Sequence, residues 1–365
     1  LKQRLLSWLE RMPSKMPKKD KVIVIVVAYN SQKYWPDLMP LLTQEKYEDF
    51  DLEILVVDND SNDKTVDDLE TNYPTVKLIK NKENLGFVGA NNIGYQYAKS
   101  CGADFIFLLN PDTVISPGWL KSLYNFSKHN KFGSLQPQLN LWPDKTKINT
   151  LGNTIHFLGF GYSTGLGHLA DNKQAIKKIN YSSGAGVWLS MDVLHELGYL
   201  FDDSMFMYLE DLDLGWSLSL LGYDNYLIPE SVLYHKYEFS RGIKQWYWFE
   251  RNRLWTMLKN YKIGTLILIL PAWLIMELGQ LFFATINHRL FDKLKSYQFL
   301  FSQKQWQDLL TKRRYIQSKR VKSDRQVVGQ FSGLILFQPL ESLLLKIANM
   351  FFNLYWQIIK LFIFW

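Results

Sequence analysis

The chain has 365 residues and a formal charge of +7, with 47% apolar and 15% aromatic content. That length buries a sizeable core with room for more than one domain, and the apolar content excludes an intrinsically disordered chain. The single cysteine, Cys101, excludes an intrachain disulfide and reads as a small apolar residue ahead of a strand, which permits a reducing compartment.

Much of the basic excess lies in Lys15, Lys18, Lys19 and Lys21 and in a run from Lys312 to Arg325. On charge alone such clusters suit anionic lipid headgroups or nucleic acid equally well. The second run lies between two very apolar segments, which favours lipid, and no nucleic-acid partner is expected. The first residues are charged and amphipathic, without the apolar stretch of a secretory signal. Leu5, Leu6, Trp8, Leu9 and Met12 recur there at helical spacing, so residues 1–20 are expected as a helix and linker. That helix either packs on a core or lies on a surface.

Val22–Val27 is a continuous β-branched run, the pattern of a strand covered on both faces. A polar loop at 28–31 follows, then a helix within Tyr34–Gln44. Leu52–Val57 predicts a second buried strand, ending in the acidic stretch Asp58–Asp63. A helix to about Asn72, a strand at Val76–Ile79 and a loop opening into a helix over Asn84–Lys99 come next. Phe105–Leu109 predicts a fourth strand, ending in Asn110, Pro111, Asp112 and Thr113. Strands alternating with helices across short polar turns argue a parallel α/β sheet, in which ligands bind beyond the carboxyl ends of the strands. The polar clusters at Tyr29–Asn30, Asp58–Asp63 and Asn110–Thr113 all fall at that edge.

Phe132–Tyr181 is rich in Gly, Asn and Thr with weak periodicity and reads as loops and short strands. Met191–Leu197 is helical, Met205–Trp216 leads into another helix, Val232–His235 ends a strand, and Gln245–Lys259 predicts an aromatic-rich helix. Beyond Tyr261 the composition turns apolar. Ile263–Ile286 and Val327–Trp365 are long enough to cross a bilayer but contain Pro271, Glu277 and Gln280, and Pro339, Glu341, Lys346 and Lys360. A charge near the centre of a span costs roughly 2.5–3.5 kcal/mol on insertion scales, so interfacial or re-entrant helices explain these interruptions at least as well.

Asp112 puts one carboxylate just past a strand end, either in a simple Pro-Asp turn or as an oxygen ligand for a hard divalent cation near a pyrophosphate. Asp58–Asp63 reads either as ordinary turn and cap chemistry throughout, or with Asp58 facing a ligand, where a carboxylate can accept the imide N–H of a pyrimidine, and Ser61 or Asp63 doing local turn and cap work. Gly86, Gly89 and Gly94 lie at a loop-to-helix transition where backbone N–H groups approach an anion, with spacing that departs from the dinucleotide fingerprint. Glu210, Asp211 and Asp213 open a helix, where they favour its dipole. They also follow the apolar run Met205–Leu209, so desolvation and mutual repulsion raise at least one pKa, the condition for a general base. His235 closes a strand and reads as an ordinary core or surface histidine or as a ligand.

Together, Val26–Asn30, Val56–Ser61, Asn84–Phe87, Leu109–Asp112, Ser183–Ala185 and Glu210–Asp211 resemble family 2 glycosyltransferases over roughly Val22 to Tyr261, in the family's order. More narrowly, the chain is similar to the bacterial rhamnosyltransferase-like branch that builds cell-surface polysaccharides. The resemblance implies a GT-A fold, an α/β architecture with a mixed sheet, over residues 21–261. It also implies a helical membrane-associating region over 262–365, and inverting transfer from a nucleoside diphosphate sugar to a lipid-linked glycan at the cytoplasmic face of the cell membrane. By position it assigns Ala28, Asn30 and Asp58 to the nucleoside, and Asn84, Gly86, Asn92 and Asn110 to the donor site. Asp112, with His235, would hold Mn²⁺ or Mg²⁺. Asp211 would be the catalytic base beside Glu210, and Gly184, Ala185 and Trp188 would shape the acceptor pocket. The family's acid-any-acid signature reads Asn110-Pro111-Asp112 here, so one carboxylate is an amide. L-Rhamnose from a dTDP donor is the sugar this branch implies; UDP-galactofuranose, UDP-hexoses and UDP-N-acetylhexosamines stay open, as does a non-catalytic scaffold of the same fold.

Overall fold

The computed structural model describes residues 18–171, 174–237, 245–336 and 343–365. Most of the helix expected over residues 1–20 therefore lies outside the described residues, as do Ser240, Arg241, Pro339 and Glu341.

The expected strands form. They are β1 (Asp20–Ala28), β2 (Phe50–Asp58), β3 (Lys77–Lys80) and β4 (Phe105–Leu109), and β1 pairs in parallel with both β2 and β4. Between them run α1 (Trp35–Leu42), α2 (Thr65–Asn72) and α3 (Gly86–Ser100). Their apolar runs are continuous because both faces are covered. Ile23, Ile25, Leu55 and Val57 face a core shared with α3, whereas Val22, Val24, Val26 and Val56 face a core shared with α1.

The sheet does not stay parallel. After β5 (Thr113–Ile115) and α4 (Leu120–His129), the chain adds β6 (Ser134–Leu141), β7 (Ile148–Thr150), a separate hairpin of β8 (Asn153–Ile155) and β9 (Gly161–Ser163), β10 (Lys177–Ile179), β11 (Gly186–Ser190) and, after α5 (Met191–Leu197) and α6 (Glu210–Leu220), β12 (Asn225–His235). The strand order is β10-β12-β6-β11-β4-β1-β2-β3. β11 runs antiparallel to both β4 and β6, so the parallel order read from the first half holds for β4-β1-β2-β3 and the sheet as a whole is mixed, as the resemblance implies. The segment 132–181, expected as loops and short strands, holds one full central strand. β6 is buried along Ser134–Asn140 although Gln136, Pro137 and Gln138 interrupt its apolar pattern. The Gln136 carboxamide oxygen accepts the Ser183 N–H at 2.7 Å, which removes the cost of burying it.

The C-terminal helices are α7 (Trp246–Asn260), α8 (Ile263–Ile286), α9 (Leu290–Ser296), α10 (Gln303–Lys319), α11 (Asp324–Val328) and α12 (Leu343–Ile359). Among the described residues only α8 is long and apolar enough to cross a membrane; of the expected second span, Phe331 and Trp356 are buried in the core and residues 337–342 lie outside the described residues. The basic run 312–325 is also spent largely inside the protein. Lys312 pairs with Asp202 at 2.6 Å, Arg313 donates to the Tyr261 carbonyl at 2.6 Å, and Lys322 pairs with Asp224 at 2.8 Å. Arg320 pairs with Asp324. The lipid reading of that run is corrected: its charges fasten α10 and its exit to the body of the protein.

Candidate active site

Strand register gathers the polar clusters at one sheet edge. Ala28 lies opposite Asp58, Val26 opposite Leu109, and Leu109 opposite Gly186, so the ends of β1, β2 and β4 and the start of β11 share a level. Backbone bonds carry the alignment one residue further: Asn59 N–H donates to the Ala28 carbonyl at 2.8 Å and Asn110 N–H to the Ala185 carbonyl at 3.1 Å.

Asp58 is 3% exposed. Its Oδ2 accepts the Ser61 N–H at 3.2 Å, while Oδ1 is buried with no hydrogen-bond partner among the described residues. A carboxylate oxygen left so at a strand end is costly unless a ligand donor completes it. Asn30 sits beside it in a left-handed conformation, its Oδ1 accepting the Asn62 N–H at 2.8 Å. Across β2, Asn59 is a hub missed from sequence. Its Oδ1 accepts the Leu85 N–H at 3.0 Å, and its Nδ2 donates to Asn84 Oδ1 at 2.8 Å.

Asn84, Gly86 and Asn92 thus have structural partners. Asn84 Oδ1 also accepts the Gly86 N–H at 2.9 Å, and the Asn92 carboxamide clamps Phe201 through both backbone groups, each at 3.1 Å. Gly86 has a positive φ, and a Cβ there would stand 2.3 Å from the Phe206 carbonyl. Only glycine lets the start of α3 approach the segment that leads into the acidic cluster.

Asp112 and His235 are brought together although far apart in sequence, because β5 pairs with β12 and puts His235 opposite Thr113. His235 Nε2 lies 3.3 Å from Asp112 Oδ1, and Nδ1 lies 3.0 Å from Asn149 Oδ1. With Nδ1–H donating to Asn149, Nε2 turns a lone pair toward the carboxylate, and two facing acceptors suit a cation between them. The other ring nitrogen tied to an amide oxygen is also the arrangement that orients a metal-binding histidine. No cluster of three or more His, Cys, Asp or Glu side chains exists among the described residues. One carboxylate and one imidazole still fit a divalent ion that takes its remaining ligands from diphosphate oxygens and water.

Glu210 and Asp211 open α6, and the chain reaches them through Tyr208 and Leu209, both left-handed with φ of 65° and 63°. Such residues persist only where the surroundings hold them. Here Asn252, fully buried on α7, donates to the carbonyls of Met207 at 2.9 Å and Tyr208 at 2.8 Å. Asp211 Oδ2 accepts the Gly184 N–H at 3.1 Å and Oδ1 the Leu212 N–H at 2.8 Å. Burial outweighs these amides, and the Asp211 pKa is pushed up to about 6. Glu210 is raised well above the usual carboxylate range by burial and then by the Asp211 charge, and its Oε2 has no hydrogen-bond partner among the described residues. Asp213 is different: it is ion-paired with Lys259 at 2.5 Å and accepts from Asn260 at 3.0 Å.

Of the expected acceptor residues, Gly184 touches Asp211 directly, and a Cβ on it would lie 3.8 Å from Glu210 Oε1. Ala185 is buried beside it. Trp188 is not at the site. Its indole is wholly buried on β11, stacked on Phe105 at 5.1 Å and edge-on to Phe50, because the strand alternates it into the core.

Residues 23–198 match the family model for glycosyl transferase family 2. The chain is 32% identical over 113 residues to an uncharacterized glycosyltransferase of Haemophilus influenzae, covering 30% of this chain and 33% of that one. It is 26% identical over 204 residues to N-acetylglucosaminyl-diphospho-decaprenol L-rhamnosyltransferase of Mycobacterium tuberculosis, covering 50% of this chain and 66% of that one. The matches thus span between a third and just under two thirds of those relatives' own lengths. Among solved structures, GalNAc-T7 with UDP, GalNAc and Mn²⁺ superposes with a TM-score of 0.54 at 15% identity, over 68% of this chain and 49% of that one. Over residues 23–198, the chain therefore carries a glycosyl transferase family 2 domain, built on the GT-A fold.

Proposed function

We propose that the protein is an inverting glycosyltransferase moving a sugar from a nucleoside diphosphate donor to a hydroxyl of a lipid-linked or polysaccharide acceptor. The observation that carries the reading is Asp211, a carboxylate at the sheet edge with a pKa pushed up to about 6 and held in place by the Gly184 amide. In one displacement the acceptor oxygen bonds to the anomeric carbon, the bond from that carbon to the diphosphate breaks, and Asp211 takes the hydroxyl proton. A carboxylate of this pKa is ionised at neutral pH and still basic enough for that transfer.

The other residues divide the donor between them. Asp58 Oδ1 accepts the imide N–H of the pyrimidine, with Ala28 and Asn30 flanking it at the same edge. Asn84, Gly86 and Asn92 hold the start of α3 in place, and Asn110 lines the route from nucleoside to diphosphate. Asp112 and His235 would hold Mn²⁺ or Mg²⁺, which when bound offsets the charge developing on the leaving diphosphate. The mycobacterial relative supports L-rhamnose as the sugar and a polyprenyl diphosphate-linked glycan as the acceptor, with dTDP as the nucleotide that the family resemblance implies. The apolar C-terminal helices support work at a membrane surface, on its cytoplasmic face where nucleotide sugars are made.

A donor panel with Mn²⁺ and purified full chain tests this, with Asp211→Asn as control. Turnover of one donor, lost in the variant, names the sugar. Donor binding without turnover points to a missing lipid acceptor. A folded protein that binds none of the donors would overturn the reading in favour of a scaffold.

A further inference from the structure

The α8 helix inverts the pattern of a water-soluble helix. Its one charged residue, Glu277, is buried, whereas Ile267, Leu270, Leu274, Leu278, Phe282 and Ile286 form an exposed stripe at helical spacing. The helix has 24 residues, about 36 Å, and the stripe covers about 30 Å of it with no charge on it. Beside it α12, tied to α8 by the Tyr355 hydroxyl on the Leu268 carbonyl at 2.6 Å, shows a second stripe of Ile347, Met350, Leu354 and Ile358. Past the end of α8 the apolar surface continues through Phe291, Leu294 and Phe301, now interleaved with exposed Lys295 and Lys304.

The opposite face of α8 is fastened to the body of the protein along its length. Near its start, Lys262 N–H donates to Asp324 at 2.9 Å. Further along, Glu277 pairs with Arg253 of α7 and, at 2.6 Å, with Lys293 of α9, and Gln280 donates to Glu250 at 2.9 Å. To cross a bilayer, α8 would have to leave this cluster or carry α7 into hydrocarbon with it, and either strands buried charges. Between α8, α7 and α10 there is also a cleft of about 190 Å³, with Leu254, Met257, Ile269 and Trp273 inside and Leu270 and Trp306 at its rim. An open cleft with so apolar a lining suits hydrocarbon better than water.

We propose that α8 lies in the plane of a membrane, with its exposed stripe and that of α12 sunk into one leaflet and Lys295 and Lys304 on anionic headgroups. The partner is a lipid bilayer surface, and the cleft beside Trp273 receives part of a lipid chain. This deepens the membrane element of the function above and does not depend on Asp211. An in-plane helix hangs from one leaflet by its apolar side, so the catalytic domain stays on the aqueous side of that leaflet.

Full-length protein should float with vesicles of phosphatidylcholine and phosphatidylglycerol. Leu274→Glu with Leu278→Glu should weaken that partition at least about 100-fold, since two buried leucines are lost. Donor hydrolysis in solution should be unchanged in the same variant, which separates this inference from the catalytic reading. Topology is read on Cys101→Ser protein carrying Lys262→Cys or Asn287→Cys, in sealed membrane vesicles treated with an impermeant maleimide. Both ends should behave alike, modified together in one vesicle orientation and protected together in the other. Modification of one end in each orientation would mean a span and overturn the proposal. Failure to float, with the stripe instead burying a second copy in sedimentation, would overturn it too.

Discussion

Buried carboxylates of two kinds meet at the start of α6, where Glu210 and Asp211 lie within three residues of Asp213, and they are treated in opposite ways. Asp213, like Asp202, Glu250 and Glu277, has a cation against it: Lys259 lies 2.5 Å from Asp213 and 3.0 Å from Asp202, and Arg253 and Lys293 serve the other two. Burial works against the Lys259 charge, yet Asp202 and Asp213 outweigh it and raise its pKa well above the usual range. At the sheet edge, Asp211 meets only backbone amides, and Asp58 Oδ1 and Glu210 Oε2 meet no hydrogen-bond partner among the described residues. Buried charges that are paired hold helices together. Buried carboxyl groups left without a counter-ion carry a cost in the folded state that a ligand or a transferred proton offsets.

Substitution breaks this contrast most sharply at Asp211. Asp211→Asn should lower transfer about 10³–10⁴-fold, the range for a lost general base, while donor affinity by calorimetry stays within about twofold. Its stability should rise. Between the ordinary carboxylate range and about pH 6 the folded protein holds a proton that the unfolded chain releases, so folding weakens as pH climbs through that window. The amide removes this penalty and should add about 1–2 kcal/mol at pH 8, measured by urea unfolding. Asp213→Asn tests the paired group, where burial raises the carboxyl as it does at Asp211 but a cation stands against it. With Lys259 left on Asp202 alone, unfolding free energy should fall by about 2–4 kcal/mol. A smaller loss accompanied by abolished transfer would move Asp213 from the structural group into the site.

Asp58→Asn tests the edge further from the reaction. It keeps the shape and replaces the accepting oxygen or turns a donor toward the imide N–H, so donor Kd should rise about 10–100-fold. An unchanged Kd would return Asp58 to turn work alone.

The parts of this arrangement that could be read in the sequence are those coded locally. β1 and β4 carry unbroken apolar runs and β2 one over its last four residues before Asp58, and Asp58, Asp112 and Asp211 each lie just past an apolar run, so their position past a buried element was legible. What escaped was coded at a distance. β6 is a buried strand carrying Gln136, Pro137, Gln138 and Asn140, and its polar groups are answered by residues such as Ser183 that no local pattern reveals. Asn149 behind His235 is 86 positions away in sequence, and Asn252 reaches the left-handed Tyr208 from 44 away. Trp188 was misplaced for the converse reason. A position matched to a family says where a residue lies along the chain, whereas the alternation of β11 decides which face it occupies.

The smallest effect separates the two adjacent acids. Backbone amides of Gly184 and Leu212 favour the charged form of Asp211, whereas at Glu210 burial and the Asp211 charge outweigh its own backbone amide and raise its pKa well above the usual range. Asp211 should therefore release its proton first, with Glu210 staying protonated beside it at neutral pH. The pH profile of kcat/KM should fall on its acid limb with a midpoint near the value of about 6 that burial gives Asp211. At pH 5 the rate should stand about tenfold below the plateau. Glu210→Gln, which replaces a neutral acid by a neutral amide of the same shape, should leave that midpoint within about 0.3 pH units and lower the plateau only a fewfold. A midpoint that moves by a full unit would mean the proton is shared across the pair, and the titration would then belong to both residues.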